Sequence, residues 1–198
     1  MSGKLIVISG PSGVGKSTVL KRVMEQCPNL RFSVSATTRP IRPNETDGVN
    51  YFFVSREQFQ EMIEKQELLE YTEYVGNFYG TPEKQLNQML EDDYDILLDI
   101  EVQGAMNVRS RRSDAVLIFM LAPSLSEIEH RLLNRGDTPE DVMKSRLERA
   151  RWEYTMAPNY DYLVVNEEVD RTVSEIVSIL TAEKCRTKER FDYLKEVL

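Results

Sequence analysis

The stretch from Lys4 to Cys27 limits the possible folds more than any other part of the chain. Lys4-Leu-Ile-Val-Ile-Ser9 is a short apolar, β-branched run bounded by Gly10 and Pro11, and it reads as a buried strand. From Lys16 onward the apolar positions Val19, Leu20, Val23, Met24 and Cys27 mark one face of a helix that Pro28 ends. Strand, glycine-rich turn and helix in that order open a βαβ unit. The turn itself, Gly10-Pro11-Ser12-Gly13-Val14-Gly15-Lys16-Ser17, fits the pattern G-x-x-x-x-G-K-[ST]. Glycines let the backbone curl so that successive N–H groups converge on phosphate oxygens, and the helix beginning near Lys16 adds its positive end. Lys16 supplies a point charge, and the Ser17 hydroxyl suits Mg²⁺.

Further along, Arg31 to Ala36 alternates and reads as a half-exposed strand, Thr37 to Asn50 as a loop, and Tyr51 to Val54 as a strand. Ser55 and Gln58 predict a capping box at the start of a helix. Leu68 to Tyr74 reads as a strand, and Thr81-Pro82 as a cap with a first-turn proline before a helix bearing Leu86, Met89 and Leu90. Ile96-Leu-Leu98 is a buried strand ending in Asp99, and Val116 to Leu121 is another. Ser124 and Glu127 form a second capping box for a helix to about Asn134, and a charged helix follows from Pro139 to about Met156. Tyr162 to Val165 is a further buried strand, and a C-terminal helix carries Val173, Ile176, Val177 and Leu180. Buried strands alternating with helices predict a parallel sheet with helices on both faces. The segment from about Thr37 to Asp92 breaks that rhythm and reads as a small α/β subdomain over the strand ends.

Among the 198 residues 41% are hydrophobic, enough for a sizeable core without disulfides. Cys27 and Cys185 lie far apart in no motif and read as free thiols in a reducing cytoplasm. No run of about eighteen apolar residues marks a membrane span, and the N-terminus lacks the pattern of a signal peptide. The lone histidine, His130, excludes a multi-histidine metal site and reads as solvated. A net charge of −8 argues against nonspecific nucleic-acid binding. Arginines nevertheless cluster at Arg39 and Arg42 and again at Arg131, Arg135, Arg146, Arg149 and Arg151, which points to a small, highly charged ligand. Arg149 and Arg151 read as helix-surface residues with glutamate partners, and Tyr71 and Tyr74 as packing.

Asp99, at the end of a buried strand, matches the acidic residue that P-loop proteins use to hold Mg²⁺ or its water. A phosphate-transfer core does not name the acceptor. A phosphate monoester with a second pKa of about 6 is largely deprotonated at neutral pH and needs no general base. The obstacle is the meeting of two polyanions, which arginine clamps overcome.

Gly10–Ser17, Phe32-Ser-Val-Ser-Ala-Thr-Thr-Arg39, Arg42-Pro-Asn-Glu45, Gly48-Val-Asn-Tyr51, Asn77-Phe-Tyr-Gly-Thr81, Asp99-Ile-Glu-Val-Gln-Gly104, Arg131–Gly136 and Tyr160–Asn166 resemble guanylate kinase, in order, over about residues 4–185. The resemblance implies a single domain over residues 1–198. It has a P-loop NTPase core (about 1–36, 93–125 and 157–198), a GMP-binding subdomain (about 37–92) and a helical lid (about 126–156). It implies phosphorylation of GMP, and of dGMP, by ATP with Mg²⁺, in purine nucleotide metabolism and GMP recycling. Gly10, Pro11, Ser12, Gly13, Val14, Gly15, Lys16, Ser17, Thr18 and Asn166 would bind ATP, with Asn166 near the adenine. Arg39, Arg42, Tyr51 and Tyr79 would hold the GMP phosphate. Glu70 would accept from guanine N1–H and the 2-amino group, and Ser35 and Thr81 would present hydroxyls to the guanine edge. Asp99 and Glu101 would flank the base and the metal, with Ser17 and Asp99 on Mg²⁺, directly or through water. Lys16, Arg39 and the lid residues Arg131, Arg135 and Arg146 would stabilise the transferring phosphoryl group. The partners implied are ATP and GMP, with no nucleic acid and no membrane, in a cytoplasmic monomer or homo-oligomer.

Two other readings compete. A noncatalytic guanylate-kinase-like interaction module tends to lose the P-loop lysine and lid arginines, all of which are present here. A kinase for another monophosphate would not need Glu70 with Ser35 and Thr81. A GTPase switch lacks support, because the chain has no Asn-Lys-x-Asp motif.

Overall fold

The computed structural model describes residues 3–74, 76–133 and 140–197, and the side chains of residues 132, 140–142 and 194 fall outside the description. The elements in chain order are β1 (Leu5–Ser9), α1 (Lys16–Gln26), β2 (Leu30–Phe32), β3 (Ala36–Thr37), β4 (Phe52–Phe53) and α2 (Arg56–Glu64). Then follow β5 (Leu68–Tyr74), β6 (Asn77–Pro82), α3 (Glu83–Glu91), β7 (Asp95–Asp99) and α4 (Val102–Arg111). The remainder is β8 (Val116–Leu121), α5 (Leu125–Leu133), α6 (Glu140–Met156), β9 (Tyr162–Val165), α7 (Val169–Lys184) and α8 (Thr187–Val197). The chain forms two compact units, Gly10–Pro28 with Ile118–Leu198, and Ser2–Ser9 with Asn29–Leu117.

Parallel strands flanked by helices run through the fold, as in P-loop NTPases. In the unit containing β1, that strand pairs parallel with β7, Leu5 opposite Ile96 and Ile8 opposite Asp99. β7 also takes β2 in parallel, Leu30 opposite Asp95. β1 and residues Asp95–Leu98 of β7 are buried throughout, as expected of near-continuous apolar strands covered on both faces. In the other unit β8 and β9 pair in parallel, Ile118 opposite Tyr162 and Leu121 opposite Val165, and α1 packs on α7. Val19, Leu20 and Val23 form the buried face of α1.

A second sheet, in the order β4-β3-β6-β5, lies within the unit containing β1. β6 runs antiparallel to both β3 and β5, and β3 and β4 pair in parallel. α2 covers this sheet through Phe59, with Ala36 and Leu68 in the same cluster. The Ser55 capping box forms as expected: the Ser55 hydroxyl accepts from the Gln58 amide at 3.1 Å and the Gln58 side chain accepts from the Ser55 amide at 2.8 Å.

Several expectations need correction. The strand read from Arg31 to Ala36 is two strands in different sheets, because the chain leaves β7 after the Ser33 amide donates to Leu97. The strand at Tyr51–Val54 shrinks to Phe52–Phe53, with Tyr51 in an isolated bridge to Asp47. Thr81 and Pro82 end β6 and do not cap α3 as expected; α3 starts at Glu83 with no side-chain cap, because the Thr81 hydroxyl donates to Glu70. β6, α4 and α8 are additions to the sequence reading. Ser124 accepts from the Glu127 amide at 3.1 Å, but Glu127 Oε1 accepts from Arg131 at 2.6 Å. Asn134 and Pro139, the expected helix limits there, lie outside the described residues. Cys27 and Cys185 are free thiols, and His130 is exposed. Among the described residues no helix is long and apolar enough to cross a membrane.

Phe59 is fully buried, stacks on Phe78 at 5.5 Å between centroids and meets Tyr71 edge-on at 6.4 Å. Phe59→Ala is expected to cost about 3–5 kcal/mol in denaturant unfolding, and a loss under ~1 kcal/mol would contradict this account of the second sheet's core.

Candidate active site

The glycine-rich turn from Gly10 to Ser17 is built within one unit. Gly10 has no room for a side chain, since a Cβ there would lie 2.5 Å from the Met120 carbonyl oxygen. Gly15 is the N-cap of α1 with φ of 92°, a left-handed conformation that favours glycine. Between them the Val14 amide closes a turn onto the Pro11 carbonyl at 3.1 Å. Lys16 begins α1, and Ser17 and Thr18 are exposed at its first turn.

The inner side of this turn is tied down by groups far along the chain. The Val14 carbonyl accepts from Asn166 Nδ2 at 2.7 Å and from Arg131 Nη1 at 3.1 Å. Arg131 Nη2 also donates to the Asn166 carbonyl at 3.2 Å. The other end of the Asn166 amide accepts from the Thr172 hydroxyl at 3.0 Å. Asn166 and Thr172 are both buried. A Cβ at Gly15 would sit 2.7 Å from Asn166 Nδ2, so the same asparagine supports two residues of the turn. Arg146 is half-buried on α6, and Arg135 lies outside the described residues. Arg149 pairs with Glu153 on its own helix at 3.3 Å.

The other unit contains a recess of about 240 Å³. Ser35, Tyr51, Glu70, Tyr79, Asp99 and Glu101, all singled out in the sequence, line it. Thr72, Tyr74, Gly80 and Ile100 also line it and were not singled out as site residues. Alternation along β5 carries a signal for two of them: if Glu70 faces the recess, so do Thr72 and Tyr74. Tyr74 therefore borders the recess, where packing alone was expected.

Glu70 stands at an irregularity in β5. Pairing shifts by one residue between Leu68, opposite Pro82, and Tyr71, opposite Gly80. Leu68, Leu69 and Glu70 are consequently all buried in sequence, which strict alternation on a one-sided sheet would not allow. Glu70 is 5% exposed. The Thr81 hydroxyl, itself fully buried, donates to Glu70 Oε1 at 2.7 Å. Burial pushes the Glu70 carboxyl from 4.5 up to about 7; the Thr81 hydrogen bonds oppose that rise and the nearby Glu101 charge adds to it.

Beside the recess, Arg39 and Glu45 form a bidentate pair at 2.9 and 2.7 Å, and Glu45 also accepts from the Arg42 amide at 2.9 Å. Arg39 holds the Glu45 carboxyl below its usual range. The Arg39 guanidinium lies over Tyr51 at 5.4 Å, and Tyr51 meets Tyr79 edge-on at 6.0 Å. Glu45 was quoted in the sequence only as part of a motif, and the structure makes it the anchor of Arg39. Arg42 itself is exposed.

The Glu70 carboxyl has a folded pKa above its unfolded value, so the folded state holds the extra proton between about 4.5 and about 7. Stability therefore falls as pH rises through that window and levels off above it. Glu70→Gln removes the titration. The variant is expected to gain ~1–3 kcal/mol over the parent at pH 8 and to converge with it near pH 4.5 in paired denaturant melts. A constant difference across that range would contradict the buried, proton-holding carboxyl.

Comparison with known proteins places the chain in one family. A profile of the guanylate kinase family, "Guanylate kinase", matches residues 2–183. The chain is 50% identical over 198 residues to a guanylate kinase of Halalkalibacterium halodurans, covering 98% of this chain and 97% of that one. It is 47% identical over 199 residues to a guanylate kinase of Thermus thermophilus, covering 100% of this chain and 90% of that one. The crystal structure of guanylate kinase from Anaplasma phagocytophilum superposes with a TM-score of 0.77 at 35% identity, over 94% of this chain and 88% of that one. The chain belongs to the guanylate kinase family of enzymes.

Proposed function

We propose that the chain transfers the terminal phosphate of ATP to GMP, and to dGMP, with Mg²⁺, within purine nucleotide metabolism and GMP recycling. The observation that carries the acceptor is the buried Glu70 carboxylate in a recess bordered by Tyr51, Tyr74 and Tyr79. Guanine offers N1–H and a 2-amino group as adjacent donors. Adenine offers neither in that arrangement, and a buried carboxylate denied those two donors strongly disfavours it. Thr81 acts through Glu70, since its hydroxyl is already donated to that carboxylate. Ser35 and Glu101 border the base. Arg39, Arg42, Tyr51 and Tyr79 hold the acceptor phosphate, with Arg39 aimed by Glu45.

On the donor side, Gly10 to Thr18 cradle the ATP phosphates and Lys16 meets the outer ones. Asn166 serves that site by bracing Val14 and Gly15. Arg131, Arg135 and Arg146 spread positive charge over the phosphoryl group in transit. Acceptor phosphate is already largely deprotonated at neutral pH, so the protein's task is positioning and charge compensation.

The Ser17 hydroxyl, exposed in the first turn of α1, and the Asp99 carboxylate, exposed at the end of β7, would hold the ion, directly or through water. Hard oxygen donors in small number suit Mg²⁺, which keeps several waters and binds phosphates. When bound, the ion neutralises charge on the phosphates.

The same reading divides the chain into a core of about residues 1–36, 93–125 and 157–198, a GMP-binding subdomain of about 37–92 and a lid of about 126–156. Closure over both substrates would exclude water that otherwise takes the phosphate. It places the enzyme with soluble nucleotide pools in the cytoplasm, as a monomer or homo-oligomer.

The test is ADP formation from ATP and Mg²⁺ with GMP, AMP, UMP, CMP or dTMP supplied singly. Turnover is expected with GMP at least ~100-fold above the others and is expected to stop in excess chelator. Comparable turnover with another monophosphate would overturn the reading of Glu70. No turnover with any acceptor, from folded protein, would overturn the kinase assignment for this chain.

A further inference from the structure

Helix α4, absent from the sequence reading, touches β5 along a single stripe. Gly104, Asn107 and Arg111 are spaced three and four residues apart and so share one helix face. Each meets the irregular part of β5. Arg111 Nη1 donates to the Leu68 carbonyl at 2.6 Å and to the Leu69 carbonyl at 2.7 Å, while its Nη2 pairs with Glu83 at 2.8 Å. Asn107 Nδ2 donates to the Tyr71 carbonyl at 3.4 Å. These contacts flank Glu70 on both sides.

Gly104 meets Glu70 itself. It is buried in the first turn of α4, and a Cβ built on it would lie 2.7 Å from Glu70 Oε2 and 3.4 Å from the Glu70 carboxyl carbon. The other near atom is Ile100 Cδ1 at 3.4 Å, an ordinary contact. An added methyl would thus meet the movable end of one side chain. The opposite side of the carboxylate is occupied by Thr81 at 2.7 Å. Glu70 is held between a hydroxyl and a helix surface that is bare because residue 104 is glycine.

We propose that Gly104 and Arg111 are positioning residues for guanine recognition: the bare turn of α4 at Gly104 leaves room for the Glu70 carboxylate in its reading position, and Arg111 pins the strand irregularity that aims it. This rests on the proposed role of Glu70. Neither residue touches the substrate, so each acts through Glu70. A methyl at residue 104 pushes the carboxylate out of register with the base while ATP binding is untouched.

The experiment measures kcat/KM for GMP and for IMP, which lacks the 2-amino group, together with KM for ATP. Gly104→Ala is expected to lower the GMP-to-IMP preference by roughly tenfold with KM for ATP unchanged. Arg111→Met is expected to lower it by ~3-fold. Glu70→Asp, one methylene shorter, is expected to lower it too, and adding Gly104→Ala in that background to change it no further, because the methyl then fills the space the shorter side chain leaves. Parental preference in folded Gly104→Ala and Arg111→Met, with Glu70→Asp impaired, overturns the positioning role and leaves the reading of Glu70 standing. Parental preference in Glu70→Asp overturns the reading of Glu70 and this proposal with it. If Gly104→Ala fails to fold, Arg111→Met decides alone.

Discussion

The hydrogen bond from Thr81 to Glu70, 2.7 Å long and buried at both ends, is the contact around which the second sheet is arranged. A carboxylate removed from water is costly unless its oxygens are met by donors. Burial, with the Glu101 charge adding to it and the Thr81 hydrogen bonds opposing it, raises this one to a pKa of about 7, poised between charged and neutral forms at physiological pH. Neighbouring features serve that single group. The pairing shift in β5 turns Glu70 inward, β6 brings Thr81 opposite, and Gly80 carries no side chain where a Cβ would lie 3.0 Å from the Glu70 carbonyl oxygen. On the proposed reading, a base that presents two adjacent donors would complete the set and favour the charged form, linking recognition to protonation.

The glycine-rich turn proposed to hold phosphate follows a related logic with opposite polarity. The Val14 carbonyl takes two donors, from Asn166 and Arg131, and Thr172 in turn fixes the orientation of the Asn166 amide. Rigidity of this kind is what preorganised charge stabilisation requires, since donors that need not reorient cost nothing at the moment of reaction.

The sequence exposes these devices unevenly. The turn from Gly10 to Ser17 and the strands β1, β7 and β8 are legible because glycine spacing and continuous apolar runs depend on neighbours in sequence. The Ser55 capping box is legible for the same reason. Glu70 emerges from family resemblance, but its burial does not, because a carboxylate within Leu68–Tyr74 carries no local sign that a one-residue shift in pairing turns it inward. Thr81 reads as a cap because Thr-Pro before a helix fits that pattern locally, and only the pairing of β5 with β6 shows its hydroxyl engaged elsewhere. Helix α4 is not legible in the sequence because its buried residues Val102, Ala105 and Val108 form a narrow apolar face interrupted by Gly104. Glu45 and Arg111 act through partners that sequence order does not reveal, a few residues away for Arg39 and some forty for Leu68 and Leu69.

The central claim is that Glu70 waits partly protonated and becomes an anion when guanine binds. Carboxyl carbon-13 NMR, with Glu70→Gln as the assignment control, would follow its titration in the free enzyme and with GMP bound. The account predicts a midpoint of about 7 without ligand and a fall of one unit or more with GMP, roughly 1.4 kcal/mol or more of preference for the charged form. A midpoint at an ordinary glutamate value in the free enzyme, unmoved by GMP, would contradict it.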